Sequence, residues 1–187
     1  MQINIDKKTG TFLGIIIALV LAVVFLLAGN SSMPMDHSSH GSAMSSDETM
    51  FAQMMIPHHE QAVTMSELAL ENTANPDVIA LATAIRDAQG PEIEQMKSWL
   101  DGKSESHMHD MEMGGMLTEA ELKELASLKG MAFDQMFLNA MIAHHEGALD
   151  MVSMIKDSTN DEVKKLYENI VTSQSAEIEA MKALLKQ

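Results

Sequence analysis

At 187 residues the chain offers material for one domain, or for two small ones. Lys and Arg number 12 against 27 Asp and Glu, a formal charge of −15, so the cationic footprint that nucleic acid demands is missing and no such partner is expected. With 46% hydrophobic residues a wholly disordered acidic chain is excluded, and the lack of cysteine excludes disulfides, thiolate metal sites, cysteine nucleophiles and a thioether-linked lipid.

Against those exclusions stand 19 Met and 8 His. The chain avoids sulfur as thiol and collects it as thioether. In chain order, residues 1–29 come first, read as a signal peptide or N-terminal membrane anchor. Phe12 to Gly29 is an uncharged apolar run behind Lys7 and Lys8, long enough to span a bilayer or to serve as a signal h-region. Positive charge on the N-terminal side keeps that end in the cytoplasm and puts everything after Asn30 outside, in the periplasm, with the inner membrane as tether. Without Asp6, Lys7 and Lys8 the exported part keeps 10 basic and 26 acidic side chains, a field that draws in small cations.

Residues 30–46 (NSSMPMDHSSHGSAMSS) form a Met/His-rich flexible linker, and residues 102–116 (GKSESHMHDMEMGGM) a second one. Between and after them lie helical repeats at 47–101 and 117–187. Placing His58-His59 on His144-His145 pairs MFAQMMIPHHEQAVTM (50–65) with MFLNAMIAHHEGALDM (136–151). One gap later, Val78, Leu81, Ile85, Gln89, Glu92, Ile93, Met96 and Leu100 face identical residues at Val163, Leu166, Ile170, Gln174, Glu177, Ile178, Met181 and Leu185. Each unit reads as helix–turn–helix. Ser45-x-x-Glu48 and Thr118-x-x-Glu121 are capping boxes, Asn75 and Asn160 are N-caps, and Gly130 separates a short arm (119–128) from the helix that follows. No period-two alternation appears, so the expectation is an all-α, antiparallel four-helix bundle.

The buried stripes carry the chemistry. The first helix steps through Phe51, Met55, His58, Ala62, Met65 and Ala69, and its counterpart through Phe137, Met141, His144, Ala148, Met151 and Ile155. The partner helices place Gln89 and Glu92, or Gln174 and Glu177, at the same depth, with Met96 and Met181 beyond. Burying such groups costs free energy unless each finds a partner. Three accounts compete for this layer: a hydrogen-bonded His–Glu–Gln network that fixes register; a ferritin-like di-iron site, which needs Glu-x-x-His where Gln95 and Ala180 stand; and a soft-metal site using imidazole and thioether.

Donor chemistry favours the third. Thioether selects Cu(I), while imidazole accepts Cu(I), Cu(II), Zn and Ni. Methionine on a helix is also ordinary core filler, which suits Met65. It does not suit Met33, Met35, His37, His40 and Met44 in one linker, or His107, Met108, His109, Met111, Met113 and Met116 in the other, where the donors are interleaved with Asp, Gly and Ser.

The doubled M-I-x-H-H-E-x-A-x-x-M (55–65 and 141–151), each followed by Q-x-x-E-I-E-x-M (89–96 and 174–181), resembles the bacterial domain-of-unknown-function family 305, in two tandem copies over about residues 47–187. Its better-known members are CopM-like periplasmic copper-binding proteins. The resemblance implies a ferritin-like four-helix fold and a role in copper binding and tolerance. By position it points at Met55, His58, His59 and Met65, at Met141, His144, His145 and Met151, and at Met96 and Met181, with Gln89, Glu92, Gln174 and Glu177 behind them. Pro57, where the second unit has Ala143, implies that the two halves need not bind equally.

The reading is an extracytoplasmic copper-binding protein, Cu(I) favoured with Cu(II) and Ag(I) as further cargo. It sequesters or chaperones metal alongside other copper-handling export proteins, and it is not an enzyme. The alternatives are a ferritin-like metal-dependent oxidase or reductase and a metal-free helical interaction module.

Overall fold

The computed structural model describes residues 44–100 and 113–187. The apolar run 12–29, the donors Met33, Met35, His37 and His40, and the loop donors His107, Met108, His109 and Met111 lie outside the described residues. Those described contain five α-helices and no strand. They are α1 (Ser46–Asn72), α2 (Pro76–Leu100), α3 (Glu119–Ser127), α4 (Gly130–Val152) and α5 (Asp161–Leu184). None of these is long and apolar enough to cross a membrane.

Local signals set most boundaries. At the start of α1 the Glu48 N–H donates to Ser45 Oγ at 3.2 Å and the Ser45 N–H to Glu48 Oε2 at 2.7 Å. Thr118 and Glu121 close the same reciprocal box on α3, and each cap is worth about 1 kcal/mol. Asn75 and Asn160 cap α2 and α5 by accepting the N–H groups of Asp77 and Glu162. Gly130 opens α4 at φ +58, a left-handed conformation that costs glycine little, and this turn ends the short arm. Pro57 and Pro91 both sit inside unbroken helices. The helix expected to run through Ile155 stops at Val152. Ser153–Ile155 form a single 3-10 turn that still buries Ile155.

The long helices pack as two hairpins, α1 on α2 and α4 on α5, with α1 against α4. Every expected stripe residue of α1 (Phe51, Met55, His58, Ala62, Met65 and Ala69) is fully buried. Burying a side chain such as Phe51 or Phe137 contributes roughly 1.5–3 kcal/mol.

The apolar core divides into two clusters. One holds Phe51, Met55, Met96, Met151, Val163 and Ile170. The other holds Met65, Ile85, Phe133, Phe137, Met141 and Met181. Each combines two methionines of one hairpin with one from the other, so Met55 and Met65, grouped by sequence in one unit, belong to different clusters. The buried histidines lie between them on α1 and α4.

Candidate metal centre

The helical period brings four imidazoles into the core: His58, His59, His144 and His145 are all fully buried. His58 and His144 come from facing helices and stack with ring centroids 3.7 Å apart and planes tilted 36°. His59 and His145 turn toward the partner helix of their own hairpin. His59 Nε2 lies 2.9 Å from Glu92 Oε2, and His145 Nε2 lies 2.7 Å from Glu177 Oε2. The Glu of each His-His-Glu turns outward instead: Glu60 pairs with Lys97 at 3.0 Å and Glu146 with Lys182 at 3.3 Å, both half-exposed and worth little.

The inner rings use backbone acceptors. His144 Nε2 lies 2.9 Å from the His58 carbonyl oxygen, and His58 Nε2 lies 3.3 Å from the Gly114 carbonyl oxygen. A carbonyl or carboxylate oxygen accepts, so in all four rings Nε2 carries a hydrogen, and an imidazole in its neutral form then has its lone pair on Nδ1. All four Nδ1 atoms are buried and without a hydrogen-bond partner. The amide groups of Gln89 and Gln174 and the Oε1 of Glu177 share that condition. A ligating histidine characteristically donates its other ring N–H to a carboxylate or a carbonyl, which fixes tautomer and orientation.

Electrostatics keep the inner pair unprotonated. Burial, helped by the neighbouring His59, pushes His58 from its ordinary 6.5 down to about 3, against the opposing pull of its bond to Gly114. Burial and the facing His58 and His145 hold His144 well below 6.5. A neutral imidazole is the form that binds metal.

Among the described residues, no three His, Asp or Glu side chains converge as a metal cage. The layer is therefore not a closed His/carboxylate centre, and a di-iron reading finds no geometry to support it here. The remaining donors are thioethers. Met55, Met65, Met96, Met141 and Met181 are fully buried, and Met151 nearly so. Met44 and Met113 pack on the cluster of Met55 and Met96, and the Asn160 amide donates to Met44 Sδ at 3.7 Å.

One contributor was not read from sequence. Residues 113–117, at the end of the second linker, form a strap docked between α1 and α4. The Met116 N–H donates to the Met113 carbonyl at 3.4 Å. Gln61 bonds both backbone groups of Leu117, accepting from its N–H at 2.7 Å and donating to its carbonyl at 2.9 Å. Glycine permits the close approach: a Cβ on Gly147 would lie 1.9 Å from the Gly114 oxygen, and one on Gly115 would lie 2.1 Å from the Ala143 oxygen. The available signal was the substitution of Gln61 by Gly147 in otherwise matching helices, together with Gly114-Gly115 in the linker.

A family model, the domain of unknown function DUF305, matches residues 48–185. The chain belongs to the DUF305 family. Among solved structures it is similar to a DUF305 protein of Streptomyces coelicolor named as a candidate secreted protein, at 33% identity and TM-score 0.70 over 75% of this chain and 93% of that one. It is also similar to CopM, solved with Cu(II) bound (35% identity, TM-score 0.65, covering 74% of this chain and 95% of that one). CopM with Cu(I) bound matches at 33% identity and TM-score 0.62, over 76% of this chain and 97% of that one. A curated relative, an uncharacterized protein of Acanthamoeba polyphaga mimivirus, is 42% identical over 55 residues. The match spans 36% of that protein's length and 29% of this chain.

Proposed function

We propose that this DUF305 protein binds copper outside the cytoplasm and acts in sequestration, chaperoning or tolerance, with Cu(I) favoured and Cu(II) or Ag(I) as further cargo. The observation that carries the reading is the set of four buried imidazoles, each anchored through Nε2 and each presenting an unpartnered Nδ1, lying between two clusters of buried thioethers. CopM, at about a third identity, was solved with Cu(II), Cu(I) and Ag, which supports a copper-related role here. Imidazole tolerates either copper oxidation state, whereas thioether favours Cu(I).

In this reading the chain is a duplicated hairpin in a ferritin-like four-helix arrangement. His58, His59, His144 and His145 hold metal with Met55, Met65, Met96, Met141, Met151 and Met181, while Glu92 and Glu177 orient the outer rings and Gln89 and Gln174 lie behind. The linker donors Met33, Met35, His37, His40, Met44, His107, Met108, His109, Met111, Met113 and Met116 capture ions from solution, where the acidic surface concentrates them. The run 12–29 directs export and tethers the protein to the inner membrane, beside other copper-handling export proteins. The candidate secreted relative supports the extracytoplasmic part of this reading. A carrier needs neither turnover nor an open coordination position, so no enzymatic activity is assigned.

The test is a titration of the purified chain with Cu(I) against a competing chelator, repeated with Cu(II) and Zn(II). Cu(I) is expected to be held most tightly. Equal retention of Zn(II) would defeat the thioether part of the reading, and no uptake of any of the three would leave a metal-free helical module.

A further inference from the structure

The two thioether clusters differ at their edges. The cluster of Met65, Met141 and Met181 has one partly buried methionine packed against it, Met136. Three partly buried methionines, Met44, Met54 and Met113, pack on the cluster of Met55, Met96 and Met151.

Met54 and Met113 both pack on the cluster that holds Met151, and the contacts of the strap order them along the bundle. Gly114 bridges His58 on α1 and Gly147 on α4, and Met113 immediately precedes it. Met54 lies one turn before His58, and Met151 lies one turn after Gly147. α1 and α4 run in opposite directions past the strap, so both steps lead the same way, toward the side on which Met113 enters. Gln61, one turn beyond His58, binds Leu117 and fixes the direction in which the strap leaves.

Packing alone does not account for this set of residues. Met54 corresponds to Ala140 at the matching position of α4, so a thioether at that position occurs only on α1. Leucine would fill the same volume with better-defined rotamers, whereas an unbranched thioether adds a soft, neutral donor.

We infer that Met54, Met113 and Met151 form a site for a soft monovalent cation, Cu(I) or Ag(I), where the strap meets the bundle. The site deepens the copper reading above and rests on it. Its three donors come from α1, the strap and α4, so it exists only while the strap is docked. Met54 and Met113 are partly exposed and admit the ion from solvent, and Met151 connects the site to the buried Met55 and Met96.

The experiment uses the full chain, purified in detergent, with methyl-labelled methionine and Ag(I) as a diamagnetic probe. Met54→Leu, Met113→Leu and Met151→Leu each identify their own methyl resonance, and Met131→Leu, at 84% exposure and in neither cluster, is the control. The expected result is that the three methyl resonances shift together with one Ag(I) equivalent. Met54→Leu or Met113→Leu, neither of which removes a core side chain, is expected to abolish that equivalent and leave helix content intact. Unlinked shifts, or an unchanged number of bound ions in both variants, overturn the site while leaving the copper reading in place. Failure of the unaltered chain to bind Ag(I) or Cu(I) at all overturns both.

Discussion

The two hairpins carry the same polar residues and treat them differently. In α4–α5 the layer is sealed: His145 and Glu177 meet at 2.7 Å with only 2% of the glutamate side chain exposed, and His144 reaches the backbone of the facing helix. In α1–α2 the matching pair is longer, at 2.9 Å, with Glu92 at 15% exposure. His58 bonds Gly114 of the strap where the duplicated pattern would offer the His144 carbonyl. Repetition builds the layer, and a single strap breaks its symmetry. The more open half is the one that the strap touches through a polar side chain, Gln61, while its other edge is packed backbone to backbone on Gly147.

The strongest way to expose this difference is to remove the outer histidines one at a time. His145→Ala leaves a buried Glu177 carboxylate without its counterpart, a loss of about 3–5 kcal/mol. His59→Ala leaves Glu92 within reach of water and is expected to cost clearly less. Denaturant midpoints of the two variants measure the gap, and equal losses would mean that the halves are electrostatically alike.

Acidification tests what the halves share. His58 and His144 are both held below 6.5, and the titratable groups around them are His59 and His145 with their partners Glu92 and Glu177. Above pH 6.5 neither the folded nor the unfolded chain protonates the inner pair, and stability is unaffected by them. Below it the unfolded chain takes up protons that the folded protein refuses until about pH 3 for His58. Stability therefore falls with falling pH across that window, by up to about 1.4 kcal/mol per pH unit for each histidine. Melting temperatures of metal-free protein between pH 7 and 4 check the slope. Replacing either inner histidine with Asn is expected to flatten it, and an unchanged slope would contradict the burial argument.

Next in size is the strap's tight contact. Gly147→Ala places a methyl group 1.9 Å from the Gly114 oxygen, so the strap must lift. The expected loss is on the order of 1–3 kcal/mol, with faster amide exchange confined to residues near 113–117. Adding the same methyl group at Gly90, which has no neighbour within 4 Å, is expected to leave the strap unmoved.

The stripes were legible because a 3.6-residue period and two matching stretches of sequence, 50–65 and 136–151, both point at Phe51, Met55, His58 and Met65, and at Phe137, Met141, His144 and Met151. The caps were legible because they are local: Ser45 and Glu48 are neighbours in sequence. The strap was not, because its bonds join Gln61 to Leu117 and His58 to Gly114, contacts 56 residues apart that no local pattern encodes. For the same reason the per-unit grouping of methionines did not anticipate the two shared clusters. Facing helices assigned Met65 to Met141 and Met181, and Met151 to Met55 and Met96. The early end of α4 at Val152 was hidden as well, since Ile155 keeps its buried position in a 3-10 turn.

The smallest effect isolates the polar side of the strap. Gln61→Ala deletes one bond from the Leu117 N–H and one to its carbonyl, both part-buried between a buried Gln61 and a half-buried Leu117. The expected cost is about 1 kcal/mol. Amide protection should decline at Leu117 more than at Gly115, which the backbone of Ala143 and His144 still confines. If Gly115 loosened as much as Leu117, the strap would move as one body and its two moorings would be a single cooperative contact. If only Leu117 loosened, the hold on α4 would survive without the Gln61 mooring, and the Gly114 carbonyl would remain beside His58.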